Sequence, residues 1–258
     1  MNNQHGDFIW YELLTPDAES TASFYGAVIG WQVRPAGGPV QDYRIFRANG
    51  QDVAGFMPIR TGEAGACMRP GWVGYIGVDD VDASAAEIVQ AGGAQHVMPT
   101  DIPGIGRFAL VADPQGVLFY VMRGAVDGTS TSFSAGKAGH CQWNELATSD
   151  QAAALRFYCD RFGWEKGDAM PMGEMGDYQF ITQRDQIIGA MMTRRPDGPP
   201  PAWTFYFGVE DIDVAAQAVA GNGGAIHYGP AEVPGNCYIV VASDPQGALF
   251  GLVGPRRQ

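Results

Sequence analysis

The run Trp72–Met122, with the turn Asp113-Pro114-Gln115-Gly116 near its end, recurs without a gap at Trp203–Val253, where the turn reads Asp244-Pro245-Gln246-Gly247. The offset is 131 residues throughout, and 20 of the 51 positions are identical, too many for chance similarity. Trp72/Trp203, Tyr75/Tyr206, Asp80/Asp211, Asp82/Asp213 and His96/His227 are among the matches. Upstream, Trp10-Tyr11-Glu12-Leu13 answers Trp143-Asn144-Glu145-Leu146, Phe24-Tyr25 answers Phe157-Tyr158, and Gly30-Trp31 answers Gly163-Trp164. The chain is therefore two copies of a unit of about 120 residues, and self-similarity at a fixed period has to be read before anything else. The copies are 1–123 and 140–258. Between them, 124–139 is rich in Gly, Ser, Thr and Ala, a composition that predicts a flexible linker.

Each copy divides again. Ile9–Thr15 is an apolar strand, Asp17 is placed to cap a helix over Ala18–Ile29, and Gly30 ends it. The turn signal Asn49-Gly50 joins two strands, Tyr43–Ala48 and Val53–Ile59. The order then restarts. Trp72–Val78 is a strand, Asp80 or Asp82 caps a helix over Ala83–Ala91, and Gly92-Gly93 stops it. Strands over Ala94–Met98, Arg107–Ala112 and Val117–Met122 follow. This predicts an α+β protein of four β-α-β-β-β modules, two per copy, each with a short third strand.

Composition narrows the class. Gly accounts for 36 of 258 residues, roughly twice ordinary usage, which favours turns and short strands over a helical bundle. The 13 Phe, 10 Tyr and 6 Trp can supply a core, so disorder is excluded. The formal net charge of −12 argues against a nucleic-acid partner, which needs a basic footprint. No apolar stretch reaches the length of a membrane span, and Met1 to Asp7 lacks the pattern of a leader. The four cysteines (Cys67, Cys141, Cys159, Cys237) are scattered and read as reduced thiols, with a cytoplasmic location expected. No Walker loop, dinucleotide fingerprint, nucleophile elbow or H-E-x-x-H helix is present.

The module pairs, the strand–Asp–helix–Phe-Tyr start and the D-P-Q-G hairpin together resemble the vicinal oxygen chelate superfamily, which includes glyoxalase I, extradiol dioxygenases and bleomycin-resistance proteins. The nearest group is the tandem glyoxalase-like proteins with a W-x-E-L start and I-P-G-x-G-R-F-A before D-P-Q-G. Here those residues are Trp10–Leu13, Ile102–Ala109 and Asp113–Gly116. The resemblance implies two fused domains, each a curved mixed sheet around a cup. In metal-dependent members it implies a His on the first strand of each module, seven residues before the helix-starting Asp. It implies a Glu on the last strands, one of them seven residues after the Asp of the D-P-x-G turn.

Carried onto this chain by counting back from Asp17, Asp79, Asp150 and Glu210, that pattern meets Trp10, Trp72, Trp143 and Trp203 at the four His positions. It meets Tyr120 and Gly251 after the two turns, Gly55 or Phe56 in the first copy, and Gly189 or Ala190 in the second. Indole N–H is a donor only and ligates no cation. No metal and no other cofactor is therefore expected. The four tryptophans either fill the space left by the metal or stack on a ligand. Glu12 and Glu145, two residues beyond Trp10 and Trp143, share their strand face and are candidate general acids or bases, or else partners in a structural bond. Arg107 either clamps an anionic ligand group or pairs with Glu12. Tyr120 either orients a carbonyl or packs. His96 and His227 fall on an expected edge strand, and the pair His140-Cys141 finds no third ligand.

These readings predict a small-molecule-binding protein of the glyoxalase/bleomycin-resistance type, without the usual metal site, that holds its ligand in an aromatic cup. The alternative is an enzyme (lyase, isomerase or dioxygenase-like) that acts on a small carbonyl compound with Glu12 or Glu145 as acid or base. The expected partner is a small molecule, with neither nucleic acid nor membrane, and the expected state is a monomer or homodimer.

Overall fold

The computed structural model describes residues 3–38, 40, 42–59 and 69–257. Four modules follow one another. The first is β1 (Phe8–Thr15), α1 (Ala18–Ile29), β2 (Gln32–Pro35), β3 (Arg44–Ala48) and β4 (Gln51–Pro58). The second is β5 (Gly71–Gly77), α2 (Val81–Gln90), β6 (Ala94–Ile102), β7 (Gly106–Ala112) and β8 (Leu118–Gly124). The third is β9 (Cys141–Thr148), α3 (Gln151–Phe162), β10 (Glu165–Pro171), β11 (Asp177–Gln183) and β12 (Gln186–Thr193). The fourth is β13 (Ala202–Gly208), α4 (Ile212–Gly221), β14 (Ala225–Val233), β15 (Cys237–Ser243) and β16 (Leu249–Gly254). A 3-10 turn, Gly173–Met175, interrupts the third. Cys67 lies outside the described residues.

Every helix starts on an aspartate, because its carboxylate satisfies an amide the helix leaves unpaired. Asp17 accepts from Ser20 N at 3.0 Å, Asp80 from Ala83 N at 3.0 Å, Asp150 from Ala153 N at 2.9 Å, and Asp211 from Asp213 N and Val214 N at 2.9 and 3.1 Å. α1 and α3 end on Gly30 and Gly163 at φ of 82° and 66°, where a left-handed residue closes the helix.

The sixteen strands form two eight-stranded mixed sheets, ordered β2-β3-β4-β1-β5-β8-β7-β6 and β10-β11-β12-β9-β13-β16-β15-β14. Each module supplies one contiguous run of four. Within a run the first strand pairs parallel with the last, as β1 does with β4 and β5 with β8, and the remaining pairs are antiparallel. The strands β2 and β10 are not in the sequence reading. They are short or exposed, with no apolar alternation to mark them.

The chain gathers into two compact units that do not follow its linear order. One contains the second and third modules, the other the first and fourth. In the unit of the second and third modules, Tyr158 of α3 donates to Asp113 at 3.2 Å and accepts from the indole of Trp203 at 3.1 Å. In the unit of the first and fourth, Tyr25 of α1 donates to Asp244 at 3.2 Å and accepts from Trp72 at 2.9 Å. The Phe-Tyr pair and the D-P-Q-G turn, read separately in the sequence, are thus one buried bond between modules. Burial raises both tyrosine hydroxyls well above their ordinary range, so each remains a neutral donor. Around them pack Trp31, Phe46, Phe207 and Phe250 in one unit, and Phe119, Phe162 and Trp164 in the other.

The Gly/Ser-rich stretch between the copies is bonded in place. Gly139 N donates to Gly208 O at 2.8 Å and its carbonyl accepts from Trp31 Nε1 at 2.8 Å. Gly139 has φ of 78°, and a Cβ there would lie 2.5 Å from that of Ala48. His140 is fully buried and its Nδ1 lies 2.6 Å from the Thr131 carbonyl.

Candidate ligand-binding site

The observed caps reset the count that located the four tryptophans. α2 starts on Asp80 and α4 on Asp211, so seven residues back are Val73 and Thr204, not Trp72 and Trp203. A one-residue slip turns a strand side chain to the opposite face. Trp72 and Trp203 accordingly point to the helix side, where they bond Tyr25 and Tyr158 in the buried core. Trp10 and Trp143 occupy the other face of their strands and are only half-buried.

Trp10 and Trp143 have matching partners. Trp10 Nε1 donates to the hydroxyl of Tyr43 at 2.8 Å, and Trp143 Nε1 donates to that of Tyr178 at 2.8 Å. In the second copy the chain continues, because Tyr178 donates to Glu145 Oε2 at 2.7 Å. Glu145, Trp143, Tyr178 and Phe180 are all half-buried, whereas Glu12 is 3% exposed. Phe180 stands nearly perpendicular to both Trp143 and Tyr178, with ring centroids 5.8 Å from each. The two tyrosines were not singled out from the sequence. The signal was present in the matching Asp-Tyr pairs, Asp42-Tyr43 just before β3 and Asp177-Tyr178 at the start of β11.

The positions where the resemblance expects carboxylates hold none. Gly55, opposite Glu12 in the β1–β4 register, lies under Tyr43, and a Cβ there would meet the phenol oxygen at 2.1 Å. Its register counterpart opposite Glu145 is Ala190, a buried methyl. A Cβ on Gly189 would meet the Asn144 carbonyl at 1.9 Å, and one on Gly251 would meet the Tyr206 ring at 2.3 Å. Tyr120 stacks face to face on Tyr75, with centroids 4.1 Å apart and planes 18° apart. Indole, phenol, glycine, methyl, the Val73 side chain and the lone hydroxyl of Thr204 supply no set of N and O ligands for a divalent ion. Among the described residues no group of three or more His, Cys, Asp or Glu is placed to hold one. The residues present do not fit the metal of this fold.

Arg107 is on the helix side. It forms a two-pronged ion pair with Asp82 of α2 at 2.7 and 2.8 Å and bonds Asp101 at 3.0 Å, not Glu12. His96 and His227 lie on the terminal strands β6 and β14 and are exposed. A groove of about 490 Å³ is lined by Asn3, Gln4, His5, Asp79, Arg123 and Arg184, none of them an aromatic of the site. Its two arginines are already paired, Arg123 with Asp79 and Arg184 with Asp7. No helix among the described residues is long and apolar enough to cross a membrane.

Known proteins share both sequence and fold. Residues 10–122 match the family described as glyoxalase-like domain, and residues 137–252 match glyoxalase/bleomycin resistance protein/dioxygenase superfamily. A protein of Mycobacterium tuberculosis named as a glyoxylase, CFP32, is 34% identical over 96% of this chain and 95% of its own. The anthracycline biosynthesis protein DnrV of Streptomyces peucetius is 30% identical over 95% of this chain and 91% of its own. The Mn(II)-bound glyoxalase of Novosphingobium aromaticivorans superposes with a TM-score of 0.65 at 19% identity, covering 98% of this chain and 83% of that one, a likeness of fold. With both copies matched and full-length relatives at this identity, the chain belongs to the glyoxalase/bleomycin resistance protein/dioxygenase superfamily.

Proposed function

We propose that this chain is a small-molecule-binding member of the superfamily that works without a divalent metal, using the aromatic strand faces built on Trp143 and Trp10. What carries the reading is the donor set. Trp10, Val73, Trp143 and Thr204 stand where the resemblance expects imidazoles, and glycine, alanine or tyrosine stands where it expects carboxylates, with the space beside the glycines filled by Tyr43, Tyr206 and backbone. Binding sites for organic molecules are mostly apolar and aromatic with a few placed polar groups, which is the character of Trp143, Tyr178, Phe180 and Glu145. The names of the relatives, one a glyoxylase and one a protein of anthracycline biosynthesis, both concern small organic compounds. Trp72, Trp203 and Arg107 are left out of the binding role, because their polar atoms are engaged on the helix side.

A second reading has one observation in its favour. The Tyr178–Glu145 hydrogen bond joins a phenol to a carboxyl group on a half-exposed face, an arrangement able to take a proton from a bound carbonyl compound. Glu12, at 3% exposure, is less accessible for the same task.

Elemental analysis of protein purified without chelator tests the metal-independent reading. Far less than one Zn, Ni, Fe or Mn per chain is expected, with ligand binding unchanged by EDTA, and stoichiometric metal would overturn it. Tryptophan fluorescence against planar aromatic and small carbonyl compounds tests the binding role. If a compound binds, Glu145→Gln separates the two readings: loss of turnover with binding intact identifies an enzyme.

A further inference from the structure

The β11–β12 turn carries a backbone outlier. Gln183 pairs with Gln186, which leaves Arg184 and Asp185 as the two central residues, at φ of 47° and 63°. Two-residue hairpin turns of this kind put both central residues in the left-handed region, and Asn-Gly meets that demand best. The first copy follows the rule. There Ala48 pairs with Gln51, and Asn49 and Gly50 lie at φ of 50° and 77°. Arginine pays a steric cost in the left-handed region that glycine does not and asparagine offsets with its short polar side chain. The backbone therefore does not select Arg184, and the reason for it lies with its side chain.

That side chain lines the groove of about 490 Å³, together with Arg123 at the end of β8, Asp79 before α2, and Asn3, Gln4 and His5 of the N-terminal segment. All six belong to one compact unit. The walls are fixed in place. Gly6 N donates to Gly77 O at 2.8 Å, and Gly77 N donates to Asp7 O at 2.7 Å. Buried Gln183 donates to the His5 carbonyl at 2.7 Å, and His5 Nε2 donates to the Arg161 carbonyl at 2.8 Å.

The lining is rich in donors. Arg184 pairs with Asp7, and Arg123 donates to Asp79 at 3.3 Å, each through one guanidinium nitrogen. A guanidinium has five N–H groups in a planar fork, and among the described residues neither arginine side chain has a second partner. The two side chains are 45% and 51% exposed, so the remaining N–H groups can be reached. Asn3 Oδ1 accepts from Ser130 N at 2.7 Å, which leaves its amide nitrogen to donate. Asp79 is the one carboxylate in the lining. The repeat does not duplicate this set, because Gly254 answers Arg123 and Asn49 answers Arg184. The net charge of −12 does not decide the local preference, since exposed charges are screened beyond about 8 Å at physiological salt.

We infer that this groove is a second binding site, independent of the aromatic faces, for a small organic anion whose phosphate or carboxylate oxygens are held by Arg123 and Arg184. Guanidinium forks suit such oxygens in both geometry and charge. The volume falls within the roughly 300–1,000 Å³ of small-molecule sites, which is more than a bare inorganic ion needs.

Isothermal titration of the full chain with glycerol 3-phosphate, citrate and glycerol tests the inference. At least one of the two anions is expected to saturate at one site per chain, the tighter one naming the preferred group, and glycerol is expected not to bind. Arg123→Gln and Arg184→Asn are each expected to weaken the anion about tenfold or more, the loss of one charge-assisted contact. Arg257→Gln, at a surface arginine that pairs with Glu210 in the other unit, is expected to leave binding unchanged. Arg184→Asn gives the turn the residue that the first copy uses, so its thermal midpoint is expected to equal or exceed that of the wild type. A lower midpoint would mean that the turn keeps arginine for its pair with Asp7, and would overturn the inference. So would the absence of saturable binding by either anion, binding that ignores Arg123→Gln and Arg184→Asn, or equal weakening by Arg257→Gln, which would trace to overall charge. None of these results bears on the aromatic faces, which share no residue with the groove.

Discussion

A single oxygen, the hydroxyl of Tyr158, accepts from the Trp203 indole and donates to Asp113, with all three side chains buried. Removing it leaves an N–H and a carboxyl oxygen without that partner in a dry interior. Tyr158→Phe is therefore expected to destabilise the protein by about 1–3 kcal/mol, the usual cost of orphaning buried polar groups. Urea unfolding reads this as a lower midpoint at unchanged slope. Equal midpoints would show that the bond is dispensable. Tyr25 makes the same two bonds in the other unit, so Tyr25→Phe should behave alike.

Elements were the most legible scale in the sequence. α1 spans Ala18–Ile29 as its cap and glycine stop predict, and β7 differs from its expected start by one residue. Period and punctuation sufficed because each helix is announced by an aspartate and closed by a glycine or a turn. Side-chain direction was less legible. Counting back from Asp79 rather than the true cap Asp80 put Trp72 on the wrong face, and the same slip moved Trp203. The Tyr partners of Trp10 and Trp143 lie 33 and 35 residues further along the chain, a pairing that no local pattern encodes. The caps themselves make a prediction. Asp150→Ala removes the bond to Ala153 N and should cost about 1 kcal/mol, read as a lower thermal midpoint; an unchanged midpoint would mean the Gln115 clamp on the Asp150 backbone carries that turn alone.

For the whole molecule, acid titration distinguishes buried carboxyls from surface ones. Burial lifts Asp113 and Asp244 above the ordinary 3.8, against the backbone amides that partly hold them down. A folded state with the raised value takes up a proton before the unfolded chain does. Between that raised value and 3.8 the native state binds more protons, so its stability rises as pH falls. Asp52, Asp82 and Asp211 are shifted the opposite way by arginine or amide bonds and lose their contribution below 3.8. Comparing wild type with Asp113→Asn cancels those surface groups. The stability of the wild type relative to the variant is expected to increase as pH falls from 7 toward 3.8 and to level off below it. A flat difference across urea titrations at several pH values would remove Asp113 as the source.

Which modules share a unit was not legible from the repeat, since adjacency in sequence says nothing of the partner chosen through a Tyr–Asp bond. The choice has a temporal consequence. The bond inside the unit of the second and third modules joins residues 45 apart, whereas that inside the unit of the first and fourth joins residues 219 apart. During synthesis the inner pair has both of its members once about four-fifths of the chain has left the ribosome, while the opening module waits for the last fifth. Nascent chains stalled with residue 203 already clear of the ribosome would hold one finished body and one orphan, and that orphan is where a chaperone would have to stand guard.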